Sequence, residues 1–296
     1  MAFYTPIPSG AIRVTGTDRL DFLQGQVSQN VKALPIPGGA RSMILNVKGQ
    51  IEFDLRIYRR TDDLYLQTAP DLSAQVLARL QKYIVFDDVK LEDITTQIRV
   101  VHVSGEGAER FVTGWGFQLE AENVQLLETT SGVLLVSRLN RGNGIGFDLH
   151  VLSANAVKLE YNFAGNQMTE LSPIDLEKLR VVSTLPNAHT DGFVGMLPQE
   201  CGLLEGVSFK KGCYVGQEIM ARLEARGHSN KQLVRVNLEQ QIEIRTPVML
   251  ETREVGQLGH VVAHGSSFTA LAVIRRDALE KPNLEAGGIK LEIISV

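Results

Sequence analysis

Phe209-Lys210-Lys211-Gly212-Cys213-Tyr214-Val215-Gly216-Gln217-Glu218 is the densest run of chemistry-bearing residues in this 296-residue chain. Two lysines, two glycines and a thiol stand side by side. Glycine admits positive φ and lets backbone approach a ligand. Lysines beside a cysteine lower its thiol pKa and attract anions. The same residues also fit a surface turn leading into a helix, with a small buried cysteine. A phosphate loop is excluded, because no GxxxxGK[ST] pattern occurs.

Downstream, Arg222, Arg226, Gly227 and His228 continue the basic character. Glu218, Arg222 and Arg226 recur every fourth position, so on a helix they share a face. That face is either solvated with a weak ion pair or turned towards an anion-facing pocket, and the nearby Cys213 favours the pocket. His260 and His264 are also four apart, but they sit in a strand-like, Gly-flanked segment without the Glu of a zinc-protease helix. The only other cysteine, Cys201, is too far from Cys213 for a metal knuckle. Two thiols make no disulfide framework, and a reducing cytoplasm is the expected location. Nor can two thiolates cage a cubane cluster, which takes four. No GxSxG elbow and no GxGxxG after a strand occurs.

Composition sets the frame: 44% hydrophobic, 22% charged, and a net charge of −4 at pH 7. This excludes a broad nucleic-acid-wrapping face but leaves room for a local basic pocket. The N-terminus has no basic-then-apolar leader pattern. No apolar run reaches the roughly 18 residues that suggest a membrane helix.

The remaining elements read as α+β. Ala11–Val14 is a predicted strand, followed by a helix with Leu20, Leu23 and Val27 at helical spacing and Thr17 and Asp18 as capping residues. Strands are predicted over Arg41–Val47, Leu64–Thr68, Val89–Ile94, Ile98–Val103, Val133–Ser137 and Gly146–Leu152. Helices are predicted around Leu72–Tyr83 and Glu109–Thr113. Ser172-Pro173-Ile174-Asp175 is a strong helix start: Ser caps, Pro suits the first turn, and Asp suits the positive end of the dipole. That helix should run to about Thr184. Ile51, Phe53, Leu55 and Ile57 alternate with polar residues, the period of a strand. Strict alternation puts Asp54 on one face with Glu52 and Arg56, and Phe53 on the other with Ile51 and Leu55. From about Leu233 the chain turns to short strands between Gly, Pro and Ser turns, a small barrel or sandwich. The expected division is 1–228 and 229–296.

Lys211–Glu218 resembles the KGCYxGQE signature of the YgfZ family. Ala221-Arg222, Arg226-Gly227, the opening Val14-Thr15-Gly16 with Phe22-Leu23-Gln24-Gly25-Gln26, and the block Leu45-Asn46 with Lys48-Gly49 are similar to it too. So are Gly256, Ala270-Leu271-Ala272 and Arg275-Arg276. The likeness spans nearly the whole chain. It implies the fold of the glycine-cleavage T-protein: interwoven α+β domains, one of them ferredoxin-like, with a C-terminal small β-barrel and a tetrahydrofolate pocket. It also implies support of iron–sulfur enzymes, tRNA-modifying ones included, with Cys213 as the reactive or ligand thiol and no permanently bound metal. Lys211, Arg222 and Arg226 would tune that thiol and hold an anionic ligand tail. Asn46, Gln217 and Glu200, with Glu205 as the alternative to Glu200, would complete the folate contacts. Two departures from T-protein stand out. Phe53-Asp54 occupies the place of two adjacent acids, and Val182 the place of a folate-facing Glu. These point away from efficient aminomethyl transfer. That activity remains the alternative expectation, and a non-catalytic folate-sensing scaffold the third.

Overall fold

The protein is described by a computed structural model covering residues 1–295 except Glu122, Asn143 and His228; for residues 223–226 and Ser295 the backbone alone is described. Its first part runs β1 (Phe3–Ile7), β2 (Gly10–Thr15), α1 (Arg19–Gln26), β3 (Gly38–Leu45), β4 (Ile51–Arg59), β5 (Leu64–Thr68), α2 (Ser73–Gln81) and β6 (Lys90–Asp93). Strands β2 to β6 make an antiparallel sheet in the order β3-β4-β5-β2-β6. Val76 and Leu80, one turn apart on α2, bury against Ile12, Val14, Leu55 and Ile57 of this sheet, and Leu23 of α1 joins them.

The chain continues with β7 (Ile98–Ser104), α3 (Ala108–Thr113), β8 (Val124–Thr129), β9 (Gly132–Asn140), β10 (Ile145–Leu152), α4 (Ala156–Gly165) and β11 (Thr169–Glu170). These strands form a second sheet, but they are joined there by β1, antiparallel to β7 and parallel to β11. The first strand therefore belongs to one sheet and the second strand to the other, which interweaves the two α+β layers. The sheets meet through a small aromatic core in which Tyr58 and Tyr65 face Val124 and Leu135.

Next come α5 (Pro173–Val182) and α6 (Gln217–Arg226). Ser172 caps α5 as predicted, its Oγ accepting from Asp175 N at 3.1 Å. Asp18 does not cap α1. Its carboxylate instead accepts from Asp88 N (2.8 Å), while Thr17 Oγ1 donates to Asp88 (2.9 Å), so this pair ties the helix start to the segment before β6.

The last strands are β12 (Lys231–Leu238), β13 (Pro247–Leu250), β14 (Arg253–His264), β15 (Ser267–Arg275), β16 (Leu284–Ala286), β17 (Ile289–Lys290) and β18 (Glu292–Ser295). They form a nearly closed barrel in the order β17-β16-β13-β14-β15-β12-β18, filled by residues such as Val234, Val236, Leu258 and Ile274. The barrel is not an appendage. Its Val262, Leu271 and Val273 share a core with Met43, Leu45 and Ile51 of the first sheet and Val181 of α5. Polar ties reinforce this contact. Arg180 binds Asp191 through two N–H···O bonds (2.9 and 2.7 Å), Glu177 pairs with Arg180 and with His260 of β14 (2.9 Å), and Arg235 donates to Val182 O.

Strand β4 corrects the expected alternation. Ile44 pairs with Phe53 but Leu45 pairs with Ile51, so Glu52 is an extra residue in the ladder. A bulge of this kind places its two residues towards the same side. Glu52 accordingly pairs with Arg79 of α2 (2.7 Å), and Phe53 packs into the core beneath α2. Ile51 turns the other way, into the core shared with the barrel. Asp54 therefore shares its face with Ile51 rather than with Glu52.

Candidate functional site

The cysteine motif forms a loop pinned on both sides. Upstream, Lys211 is 6% exposed, and its Nζ donates to Gln24 O (2.6 Å), Val27 O (2.6 Å) and Gln29 O (2.9 Å). These carbonyls lie at and just beyond the C-terminal end of α1, where backbone acceptors lack helical partners and the dipole favours a cation. Downstream, Tyr214 is buried, with the Lys211 Nζ 4.8 Å from its ring centroid. Val215 N donates to Gly25 O (3.3 Å). Gly216, with φ +86°, sits so close to the turn after β3 that a Cβ there would lie 2.6 Å from Asn46 O. That contact and the positive φ both require glycine. Between these anchors, Gly212 and Cys213 stand exposed.

The expected ligand residues divide sharply. Lys211 is corrected: all three of its N–H bonds point inward at carbonyls, so it is not free to hold an anion. Desolvation brings this ammonium down to about 7. The three carbonyl dipoles act in the opposite sense, and only the charged form has three N–H bonds to give. Arg222 lies exposed on α6 in an ion pair with Glu218, the solvated-face arrangement. The side chain of Arg226, like the whole of His228, lies outside the described residues.

Asn46 builds its own turn. Its Oδ1 accepts from Lys48 N (2.9 Å) and Gln50 N (3.1 Å), and its Nδ2 donates to Gln50 (3.0 Å). Glu200 accepts from Leu197 N through one oxygen (3.2 Å). Gln217 is half-buried at the first turn of α6. The surrounding segments converge. Ile51 N donates to Met196 O, Gln199 Nε2 reaches Met220 Sδ on α6 (3.5 Å), and Gly49 packs under Ile219. The turn at Asn46, the 196–200 loop and the start of α6 thus form one pole around the motif. Glu205 lies elsewhere, bonding to Arg41 (3.1 Å).

A second polar region lies between the two sheets and was not foreseen. Arg41 grips Asp54 through Nε (2.9 Å) and Nη2 (2.6 Å) and also donates to Pro186 O (2.6 Å). The adjacent Arg41 outweighs burial and holds the Asp54 carboxyl below the usual carboxylate range. Arg141 grips the fully buried Asp148, which also accepts from His102 Nδ1 (2.9 Å). Asp148 stays well below its ordinary value against the opposing effect of burial, chiefly through Arg141. His102 and His150 are pushed down by burial, His150 to about 4, so both rings are neutral at pH 7. Single charged residues scattered over 100 positions carried no spacing signal that could have revealed this cluster.

The two thiols differ in the way that matters for reactivity. Cys201 is fully buried, and burial pushes its thiol well above the ordinary value. Brief iodoacetamide treatment at neutral pH should therefore label Cys213 and leave Cys201 nearly unmodified. Equal or faster labelling of Cys201, read by peptide mass spectrometry, would contradict this.

This three-part arrangement is that of the glycine-cleavage T-protein class. It superposes on glycine cleavage system aminomethyltransferase T from Bartonella henselae with a TM-score of 0.81 at 16% identity, covering 100% of this chain and 85% of that one. Residues 8–163 match the GCVT N-terminal domain and residues 230–295 the CAF17 C-terminal beta-barrel domain. The chain belongs to the GCVT N-terminal domain family. Among its relatives is the tRNA-modifying protein YgfZ of Hamiltonella defensa subsp. Acyrthosiphon pisum, 29% identical over 76% of this chain and 66% of that protein. A putative chloroplastic transferase of Arabidopsis thaliana is 24% identical over 91% of this chain and 64% of its own length. The chain thus spans just under two thirds of the length of these relatives. No helix among the described residues is long and apolar enough to cross a membrane.

Proposed function

We propose that this chain binds tetrahydrofolate and serves, in the cytoplasm, as an accessory protein to iron–sulfur enzymes that modify tRNA, acting through the Cys213 thiol. The observation that carries the reading is the exposure of Cys213 between two anchored neighbours. A merely packed cysteine would not be presented outward on a loop fixed by Lys211 and Gly216. The T-protein fold supports folate as ligand, and the relatives named as tRNA-modifying proteins support the choice of client. On this reading residues 1–228 form the folate-binding region and 229–296 the barrel.

The pterin edge offers amino and ring N–H donors that a carboxylate accepts well. Val182 brings no carboxylate, and both oxygens of Asp54 are engaged by Arg41. Reading the pterin therefore falls to Glu200, one of whose oxygens has no partner among the described residues, with Asn46 and Gln217 beside it at the motif pole. The same two features disfavour aminomethyl transfer. Loss of one acid–base group lowers a rate about 10²–10⁴-fold. Single-turnover ammonia release from aminomethyl-loaded carrier protein should be slower than that of a genuine T-protein by about that factor. A rate within about tenfold of the control would put the transferase first.

The decisive experiment is a deletion strain assayed for cluster-dependent tRNA thiolation. Wild type should restore the modification and Cys213→Ala should not. Full rescue by Cys213→Ala would remove the thiol from the function, and calorimetry showing no tetrahydrofolate binding would remove the folate.

A further inference from the structure

We infer that Arg56 is the receptor of an oxyanion site at the junction of the two sheets, built to take a carboxylate or phosphate group of a small-molecule ligand. The antiparallel register of β3 and β4 sets Arg56 directly opposite Arg41. Side chains opposed in this way lie on one face within contact range, and like charges so placed repel. Arg141 adds a third guanidinium from the neighbouring sheet, near enough to act on Arg56 electrostatically.

Two of the three are neutralised within the protein: Arg41 by Asp54 and Glu205, and Arg141 by Asp148. The Arg56 side chain has no hydrogen bond or ion pair to any described residue. It nevertheless lies deep, on the same face as Tyr58 and Asp54, and keeps only part of its surface open to solvent. Burial, with Arg141 and Arg41 adding to it and Tyr58 and Asp148 opposing, holds its pKa below the ordinary guanidinium value, yet a guanidinium remains charged at neutral pH. A planar fork of N–H donors, reachable but unmatched, flanked by two fixed cations, fits a planar or tetrahedral oxyanion. Folding alone gains nothing from it, since an uncompensated like charge at that junction costs stability.

The site does not depend on the folate reading. Its ligand group could be a folate glutamate or a phosphate on another molecule, and the two are separable. Wild type, Arg56→Gln and Arg56→Lys would be compared by thermal denaturation and calorimetry in low-salt, phosphate-free buffer. Inorganic phosphate, tetrahydrofolate, and a tetrahydropterin lacking the aminobenzoylglutamate would be titrated separately. In the absence of additives, Arg56→Gln should melt no lower than wild type.

Stabilisation of wild type by phosphate or by tetrahydrofolate should be lost in Arg56→Gln, with binding about tenfold weaker or more, and partly kept in Arg56→Lys. Arg56 dependence for tetrahydrofolate but not the bare pterin identifies the folate tail. Arg56 dependence for phosphate alone identifies a phosphate-bearing ligand. Responses to both additives that are the same in wild type and variant, or no response to either, would overturn the inference. Should Arg56→Gln fail to fold, the same comparison is read between wild type and Arg56→Lys.

Discussion

Lys211→Met should lower the unfolding free energy by about 3–5 kcal/mol, with three backbone carbonyls left short of a donor at about 1–3 kcal/mol each before water reaches some of them. Methionine keeps an unbranched stem of similar length, so the change removes little beyond the ammonium and its contact with the Tyr214 ring. Domains are stable by only about 5–15 kcal/mol, so such a loss is a large part of the whole. Urea denaturation should show a lower midpoint with an unchanged slope. Lys210→Met, one residue away on the exposed side, should stay within about 0.5 kcal/mol of wild type. Equal effects of the two substitutions would mean that the carbonyls of Gln24, Val27 and Gln29 are satisfied by solvent.

Arg180→Leu should cost about 3–5 kcal/mol as well, because it strands Asp191, a fully buried carboxylate, and loosens Glu177. Arg180 also donates to Leu185 O, so the chain between α5 and Asp191 loses its central tie. The double variant Arg180→Leu/Asp191→Asn removes the stranded charge and should recover part of the loss. Acid provides an independent reading. Arg180 and His260, against burial, draw Glu177 down from 4.5 to about 2. A carboxyl depressed in the folded state contributes stability that is present above its unfolded value and lost as pH falls. The wild type should therefore lose a component of stability between pH 4.5 and about 2, and Arg180→Leu should show a smaller loss over that window. Identical pH profiles would remove Arg180 from the account of Glu177.

Local rules carried the reading of this sequence a long way. The Ser172 cap, the Val76 and Leu80 stripe of α2 and the alternation from Phe53 to Ile57 each depend on residues close in the chain, and each element formed where expected. The bulge at Glu52 was not legible, since it is set by the register of β3 and by Arg79 on α2, not by anything within the strand. Strand β1 was missed for a related reason: Phe3–Ile7 finds its partners in β7 and β11, beyond any local window. At the site, the motif singled out Cys213, which stands exposed, but it also suggested that adjacent lysines act alike. Which lysine turns inward depends on α1, far upstream. Arg41, Arg56 and Arg141 lie in unremarkable polar positions of two strands and a turn, and only the register of β3 with β4 and the stacking of the two sheets bring them together.

The Lys211 anchor also fixes a timetable for the nascent chain. Its ammonium meets Gln24 O across 187 residues, and Thr5 waits for the carbonyl of Leu171 across 166. At a synthesis rate of about 5–20 residues per second, α1 leaves the ribosome roughly ten to forty seconds before the residue that closes its end. During that interval the helix has open carbonyls, and β1 waits for β7 and then for β11 before both of its edges are paired. Residues 1–170 should thus emerge as a partly assembled intermediate, a substrate for chaperones rather than an early-folding module, and translation arrest before Lys211 should leave the ribosome-bound chain sensitive to protease around α1.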